Sequence, residues 1–556
     1  MNGALSAIRP AVVSAASLLL WAGATAIHAA GESLTVDFAG DKGPVTYRAS
    51  GFLHPFAESC WGSPQPCPLD SSTASTRPPA SLVDPLKIRM VRLGWSWYLG
   101  MADGESRAYA RAKSIGATVQ LVLSDFVAPG KTVYWNSVLP DTTEWRTFVT
   151  NVARQAKEKG WTLQWDLWNE PNLNPQPITQ QQYYDIWRIG FKALRSVDPG
   201  AVVVGPSVAG FYAGGGVDFM KSFLLYAKAN SVLPDVLSWH DWDSPGAIPQ
   251  HVQDMRDFMN SNGINITRIS FNEVIYYGEY PNPGLTVKYF AAMERSGIES
   301  AAHACWPDTL GAYNCNNNSL NGLLTIDGTK PRGAWWAYKG YADITGRLAA
   351  VTGSYSVDGV VGQDSAKREA RGVFGRFAVL TGTDKVDMAL RFTNMNSVAY
   401  LGRTGKVHVT AHLMPKGHAP LTAPLPVLDA TYAVSDNALQ FTVPNVGDGE
   451  AFTVRLTPEG GTAVAAHPLP GAAGGVSIDA GRRLHLPARA AGVSVRFYSV
   501  CGRLLSGFRS HVDEGRAMDL GPLLQKAGGV AVAHVVCYDA GGRGISDAAL
   551  LIGQAK

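Results

Sequence analysis

Between Tyr47 and about Gly346, short apolar runs alternate with amphipathic stretches, and this alternation limits the fold more than any other feature of the 556-residue chain. Eight runs can be counted: Tyr47 to His54, Ile88 to Leu93, Thr118 to Leu123, Leu163 to Asn169, Val202 to Pro206, Val236 to His240, Arg268 to Asn272, and Ala301 to Trp306. Helical patterns separate most of them, among them Thr143 to Lys159 and Gln180 to Val197, the latter stopped by Asp198-Pro199-Gly200. Strands that alternate with helices build a parallel sheet, and eight βα units in roughly 300 residues match an α/β fold of the (β/α)8 TIM-barrel type. An open doubly wound sheet is the rival, but no glycine-rich dinucleotide fingerprint follows the first run.

Beyond Gly346 the helical period fades. Gly375 to Leu380, Val386 to Phe392, Lys406 to Leu413, Leu439 to Val443 and Phe452 to Leu456 alternate as strands do, with turn clusters such as Thr381-Gly382-Thr383-Asp384 between them, the pattern of a β-sandwich. The organisation expected is a signal peptide over 1–30, the catalytic barrel over 31–346, and a β-sandwich over 347–457. A Gly, Ala and Pro-rich linker over 458–475 then leads to a small β-rich module over 476–556.

The first thirty residues read as an export signal: Arg9 precedes an apolar run from Ala11 to Trp21, and small residues follow through Ala30. Cleavage is expected near Ala26 to Ala30; a retained membrane anchor is the alternative, and both place the protein outside the cytoplasm, secreted or periplasmic. After cleavage no stable membrane insertion is expected. Six cysteines follow the signal, and nearness in sequence favours Cys60 with Cys67, Cys305 with Cys315, and Cys501 with Cys537. No Cys-x-x-Cys or His-x-x-x-His spacing points to zinc. The net charge of +3, without a Lys/Arg block or a phosphate-cradling Gly-Lys-Ser/Thr loop, argues against nucleic acid and against phosphoryl transfer.

The candidate chemistry lies where strands end. In Asp166-Leu167-Trp168-Asn169-Glu170-Pro171-Asn172 an apolar alternation stops at an amide, a carboxylate and a proline, so Glu170 is delivered from a strand into a loop. Ile269-Ser270-Phe271 ends likewise in Asn272-Glu273. By the strand count Glu170 follows strand four and Glu273 follows strand seven, across the barrel mouth from each other. Two such carboxyl groups are what cleavage of a glycosidic bond requires, one holding a proton and one ionised. Taken singly, Glu170 also reads as a helix-starting carboxylate and Glu273 as a surface charge; Glu279, six positions further along, competes with Glu273. Asn169 is placed to bond a sugar hydroxyl, His240 to bond a carboxylate or the sugar, Trp306 to stack on a sugar ring, and Arg92 to orient a carboxylate. The plain alternatives are a packed histidine for His240 and barrel packing for Trp306. His54, Trp95, Trp97 and Asp125 rank lower as sugar contacts.

Trp168-Asn169-Glu170-Pro171 followed by a late strand-end Glu273 resembles the clan A glycoside hydrolases, most closely glycoside hydrolase family 39. Gly51-Phe52-Leu53-His54 and Met90-Val91-Arg92-Leu93 are similar to the first two strand ends of its bacterial exopolysaccharide-degrading branch. The resemblance implies Glu170 as acid/base and Glu273 as nucleophile. Around Glu273 the chain reads Phe271-Asn272-Glu273-Val274, where many relatives carry Thr-Glu and an aromatic. The expectation is therefore a retaining glycosidase acting on a β-linked polysaccharide or oligosaccharide, without metal or organic cofactor; the alternatives are a non-catalytic carbohydrate-binding protein and a transglycosylase on the same site.

Overall fold

The computed structural model describes residues 32–56, 78–94, 102–123, 142–173, 179–275, 281–306, 314, 318–379 and 382–459, and the backbone of seven strands between 477 and 552. An N-terminal strand, β1 (Ser33–Pro44), precedes eight strands: β2 (Gly51–Leu53), β3 (Met90–Gly94), β4 (Thr118–Val122), β5 (Gln164–Asp166), β6 (Val202–Val208), β7 (Val236–Asp241), β8 (Arg268–Val274) and β9 (Ser300–His303). Strands β2 to β9 pair in parallel, each with the next, and Phe52 on β2 pairs with His303 on β9 to close the barrel. The barrel reading is met, strand by strand in order.

The helices cover the barrel for the reasons their sequences suggest. Gln180–Val197 starts in a capping box, with Gln182 N–H donating to the Thr179 hydroxyl and the Gln182 side-chain Oε1 accepting from Thr179 N–H. Its apolar stripe buries Tyr183, Ile186, Trp187 and Leu194 against the strands. The benzo ring of Trp187 packs on β6 at Gly205, where an added Cβ would stand 2.3 Å from the indole, so the strand must carry glycine at that contact.

Several sequence boundaries shift. The run Tyr47 to His54 contributes only Gly51–Leu53 to the barrel, because Tyr47 turns at φ +57° and the chain is still in a turn before the ladder begins. Leu163 to Asn169 is laddered only over Gln164–Asp166, and Ala301 to Trp306 leaves the ladder after His303. In both, the residues after the ladder are the ones aimed at the barrel mouth.

The larger correction concerns residues 31–346 as one unit. Ser33–Pro44 does not belong to the barrel: β1 pairs antiparallel with β10 (Arg347–Thr352) and parallel with β13 (Lys385–Thr393), burying Leu34, Val36 and Phe38 in a second core. The remaining strands of that sheet are β11 (Val357–Asp364), β12 (Glu369–Arg376), β14 (Lys406–Met414), β15 (Leu425–Ala433), β16 (Ala438–Gly447) and β17 (Ala451–Pro458). The order is β15-β14-β17-β12-β11-β10-β1-β13-β16, one hydrogen-bonded sheet rather than the two sheets expected of a sandwich. It bends back on itself, since Tyr432 on β15 and Phe441 on β16, at its opposite ends, bring their rings to 5.5 Å. Of the expected run Gly375 to Leu380, only Gly375 and Arg376 are strand, at the end of β12; Phe377 to Val379 follow outside it, and Leu380 lies outside the described residues.

Two helices join barrel and sheet, and both are apolar on nearly all sides because both sides are covered: Pro283–Ser296 and Gly333–Asp343. Gly284 lets the first approach so closely that a Cβ there would meet the Arg376 carbonyl at 2.2 Å. Lys288 from the same helix donates to the carbonyls of Tyr355 (2.7 Å) and Phe377 (2.8 Å). The expected linker lies almost wholly outside the described residues. Beyond it, Ser477–Ile478, Arg483–His485 and Met518–Asp519 form one small sheet, and Gly492–Ser499, Leu504–His511, Ala531–Tyr538 and Gly544–Ile552 another.

Candidate active site

The carboxyl ends of barrel strands open on one rim, where side chains from different strands can meet. Arg92, near the end of β3 and 1% exposed, is the hub. Its Nε and Nη2 donate to Asp166 Oδ2 on β5 at 3.1 and 2.8 Å, Nη2 also donates to Asn169 Oδ1 at 2.8 Å, and Nη1 donates to Glu273 Oε1 on β8 at 2.9 Å. Burial disfavours the guanidinium charge, but Asp166 and Glu273 more than compensate, and the group stays charged. The buried cation thus fixes the placement of three side chains carried on or just past β5 and β8, neither of which neighbours β3 in the barrel.

A polar ring locks Asp166 in turn. Ser207 Oγ on β6 donates to Asp166 Oδ1 (2.8 Å), and Asn272 Nδ2 on β8 reaches both Asp166 Oδ2 (2.8 Å) and Ser207 Oγ (2.7 Å). Ser238 Oγ on β7 stands 2.8 Å from Ser207 Oγ. Glu170 leaves β5 through a left-handed turn at φ +52°, and its N–H is held by the Ser207 carbonyl at 2.9 Å. A non-glycine residue there is strained, which the surrounding bonds sustain.

His240 stands between the two glutamates. Its Nδ1 is 3.0 Å from Glu170 Oε1 and 3.7 Å from Glu273 Oε2, and one ligand atom from each of the three residues falls within 4.8 Å of the others. Burial lowers the imidazole to about 4, so it is neutral near pH 7. Its Nε2 is buried and has no hydrogen-bond partner among the described residues. A bare lone pair is less costly there than an unsatisfied N–H, which puts the hydrogen on Nδ1, donating to Glu170 Oε1. Glu170 Oε2 is then the oxygen left to carry a proton.

The two carboxyl groups differ in surroundings. Burial pushes Glu170 up to about 7, with Arg92 only partly opposing, and among the described residues no guanidinium hydrogen bond reaches it. Burial also raises Glu273, but His240 and Arg92 oppose it, and its Oε1 accepts directly from Arg92, a bond that favours the ionised form. Two carboxylates this close repel by about 3 kcal/mol at an effective dielectric of about 20. One proton is therefore kept, and Glu170 is where it is cheapest to keep. Asn169, whose oxygen is occupied by Arg92, presents its amide N–H groups as donors.

The structure brings Glu170, Glu273, Asn169, His240 and Arg92 together. Trp306, just past β9, packs edge-on against Trp242 at 5.4 Å between centroids, and Trp242 lies 5.2 Å from His240, so the two indoles extend a wall from the carboxylates. His54 follows β2 at φ +44°; its Nδ1 accepts from Gly94 N–H at 3.3 Å, and burial lowers it to about 3, leaving a neutral ring with its hydrogen on Nε2. No hydrogen bond from His54 to the glutamates appears among the described residues. Trp95, Trp97, Asp125, Glu279, and Cys60, Cys67, Cys315, Cys501 and Cys537 of the expected pairs, lie outside the residues whose side chains are described.

Asp166, Ser207 and Asn272 were not anticipated. Asp166 carried a signal, an acidic residue in a strand buried on both faces, and Asn272 another, since Asn precedes Glu at both strand ends. Ser207 carried none.

No family model matches the chain. A β-xylosidase from Geobacillus stearothermophilus is 30% identical over 121 residues, 20% of this chain and 23% of that protein, so the match spans under a quarter of that relative. Among solved structures, N2152 from Neocallimastix frontalis superposes with a TM-score of 0.64 at 23% identity, covering 77% of this chain and 99% of the other. A GH39 enzyme from Xanthomonas axonopodis pv. citri superposes with a TM-score of 0.55 at 16% identity, covering 78% and 98%. The chain has the fold of GH39 enzymes, and the family 39 resemblance read from its motif is matched by that likeness.

Proposed function

We propose that this chain is a retaining glycoside hydrolase that cleaves β-glycosidic bonds in a polysaccharide or oligosaccharide by double displacement, outside the cytoplasm. The observation that carries the reading is the close approach of Glu170 and Glu273 in unequal surroundings. Retaining enzymes hold their carboxyl groups about 5 to 5.5 Å apart, whereas inverting enzymes keep about 6.5 to 9.5 Å to admit water. Oxygens within 4.8 Å of each other support the first arrangement.

In this mechanism Glu170 Oε2 protonates the departing oxygen while Glu273 attacks the anomeric carbon. Arg92 holds Glu273 Oε1, which leaves Oε2 for attack. As the leaving group departs, Glu170 becomes an anion, and His240 Nδ1–H at 3.0 Å stabilises it. Glu170 then takes a proton from water, which resolves the glycosyl-enzyme. Asn169 donates to a sugar hydroxyl as charge develops at the anomeric carbon. The reading uses side chains alone and requires no cofactor.

Aryl glycosides with activated leaving groups test the roles. Glu170→Ala should keep measurable turnover on them, because they need little protonation, and azide should accelerate it with retained configuration. Glu273→Ala should lose turnover, and azide should not restore a product of retained configuration. Wild-type rates in Glu273→Ala, with Glu279→Ala inactive, would move the nucleophile and refute the assignment. The panel should include β-xylosides and bacterial exopolysaccharides, to find the sugar.

A further inference from the structure

A second cluster of ligating side chains lies just behind His240, outside the acid/base pair. Asp241 ends β7, Asp243 follows in the loop, and His251 comes from the first turn of the helix Ile248–Ser261. One ligand atom from each falls within 4.8 Å of the others. His251 Nδ1 is 3.0 Å from Asp241 Oδ2, which also accepts from Trp239 Nε1 at 2.9 Å. The hydrogen between His251 and Asp241 belongs on Nδ1, since a carboxylate only accepts.

In the neutral ring Nε2 is then the free lone pair, and it lies 3.8 Å from Asp243 Oδ2. Asp241 Oδ1, Asp243 Oδ2 and His251 Nε2 are all buried, and among the described residues none of the three atoms has a hydrogen-bond partner. Asp241 is fully buried and His251 is 1% exposed. Among the described residues no Lys or Arg pairs with either carboxylate. Electron-rich atoms that are buried facing each other are costly unless something positive lies between them. The Glu170, His240 and Glu273 cluster has a similar span, but there the Arg92 guanidinium already supplies the charge and would repel a second cation.

We propose that Asp241, Asp243 and His251 form a binding site for one divalent transition-metal ion of the zinc class. His251 Nε2 and an Asp243 oxygen are the direct ligands, and solvent completes the shell. Asp241 orients the imidazole from Nδ1, in the carboxylate–histidine–metal arrangement that fixes the tautomer. Ligands of a tetrahedral zinc ion lie about 3.3 to 3.5 Å from one another; the observed 3.8 Å closes to that by a small movement of Asp243. Its side chain is 40% exposed, which gives the ion and its waters a way in. The backbone is ready to bear the site: Tyr289 Oη donates to the Asp243 carbonyl at 3.1 Å, and the His251 ring lies parallel to Phe211 at 4.0 Å. A nitrogen ligand beside a carboxylate favours zinc or cobalt over calcium or magnesium. The bound ion would tie the end of β7, and with it His240, to the following helix.

The test uses the full chain, stripped with a chelator and titrated with Co2+ alone. The expected result is visible d–d absorption that saturates at one equivalent, and one zinc per chain by mass spectrometry after dialysis against Zn2+. Zinc should raise the unfolding temperature by a few degrees. Asp243→Asn, at a half-exposed position that leaves the core intact, should weaken Co2+ binding by roughly 10- to 100-fold or more. Glu273→Gln should bind as the unaltered chain does. No d–d bands and no retained zinc in the unaltered chain would overturn the proposal, as would equal binding in Asp243→Asn. Binding lost in Glu273→Gln, or stabilisation by Ca2+ without a Co2+ spectrum, would also overturn it.

Discussion

Replacing Glu170 by Gln should make the protein more stable above neutral pH while removing the proton that the proposed mechanism takes from this residue. Burial raises the Glu170 carboxyl from 4.5 to about 7. A carboxyl group raised in the folded state is neutral in both states below its unfolded value, so it has no effect on stability at acid pH. As pH rises through the window from about 4.5 to 7, the unfolded chain ionises and the native site resists, so the native state loses stability progressively. Above about 7 the loss is complete. A difference of about 2.5 units at about 1.4 kcal/mol each amounts to roughly 3 kcal/mol. Glu170→Gln removes this titration while keeping the volume, and its amide oxygen can still accept from His240 Nδ1–H. The measurement is the apparent unfolding temperature of both proteins by calorimetry at pH 4 and pH 8. The variant should be near the unaltered protein at the acid end and a few degrees above it at the alkaline end. Parallel curves at all pH values would refute the reasoning. In the unaltered enzyme kcat/KM should decline as pH rises past about 7, as Glu170 loses its proton, and a rate that keeps rising would count against it as the acid.

Arg92→Met should cost about 3 to 5 kcal/mol, because it strands Asp166 and Glu273 as buried charges, and chemical denaturation should show this with activity lost. Asn272→Ala should reduce kcat with little change in KM if it acts through the Asp166 and Ser207 ring; steady-state kinetics separate the two effects. Gly284→Val should disrupt the junction of barrel and sheet, since even a Cβ meets the Arg376 carbonyl at 2.2 Å; limited proteolysis should then cut between the two units. Removing residues 32–45 should open the nine-stranded sheet between β10 and β13, and increased hydrogen exchange in those two strands would report it.

The sequence by itself determined the barrel, because eight short strand-like runs alternate with stretches of helical period, and a strand that must pair in parallel with the next needs such a covering crossover between them. It also placed Glu170, Glu273, Asn169, His240 and Arg92 at strand ends, since Asn-Glu-Pro after an apolar alternation says where a ladder stops. Only the tertiary structure decided that Ser33–Pro44 joins a sheet whose other strands lie more than 300 residues away in sequence. Alternation in a single strand records which face is buried and carries nothing about the partner. The same limit hid Ser207 and the link from Arg92 to Asp166: a side chain's hydrogen-bond partners come from strands remote in the chain, and closure of the barrel is what brings them within 3 Å. Which of the two glutamates keeps the proton was likewise decided in space, by a guanidinium on β3 that touches one and not the other.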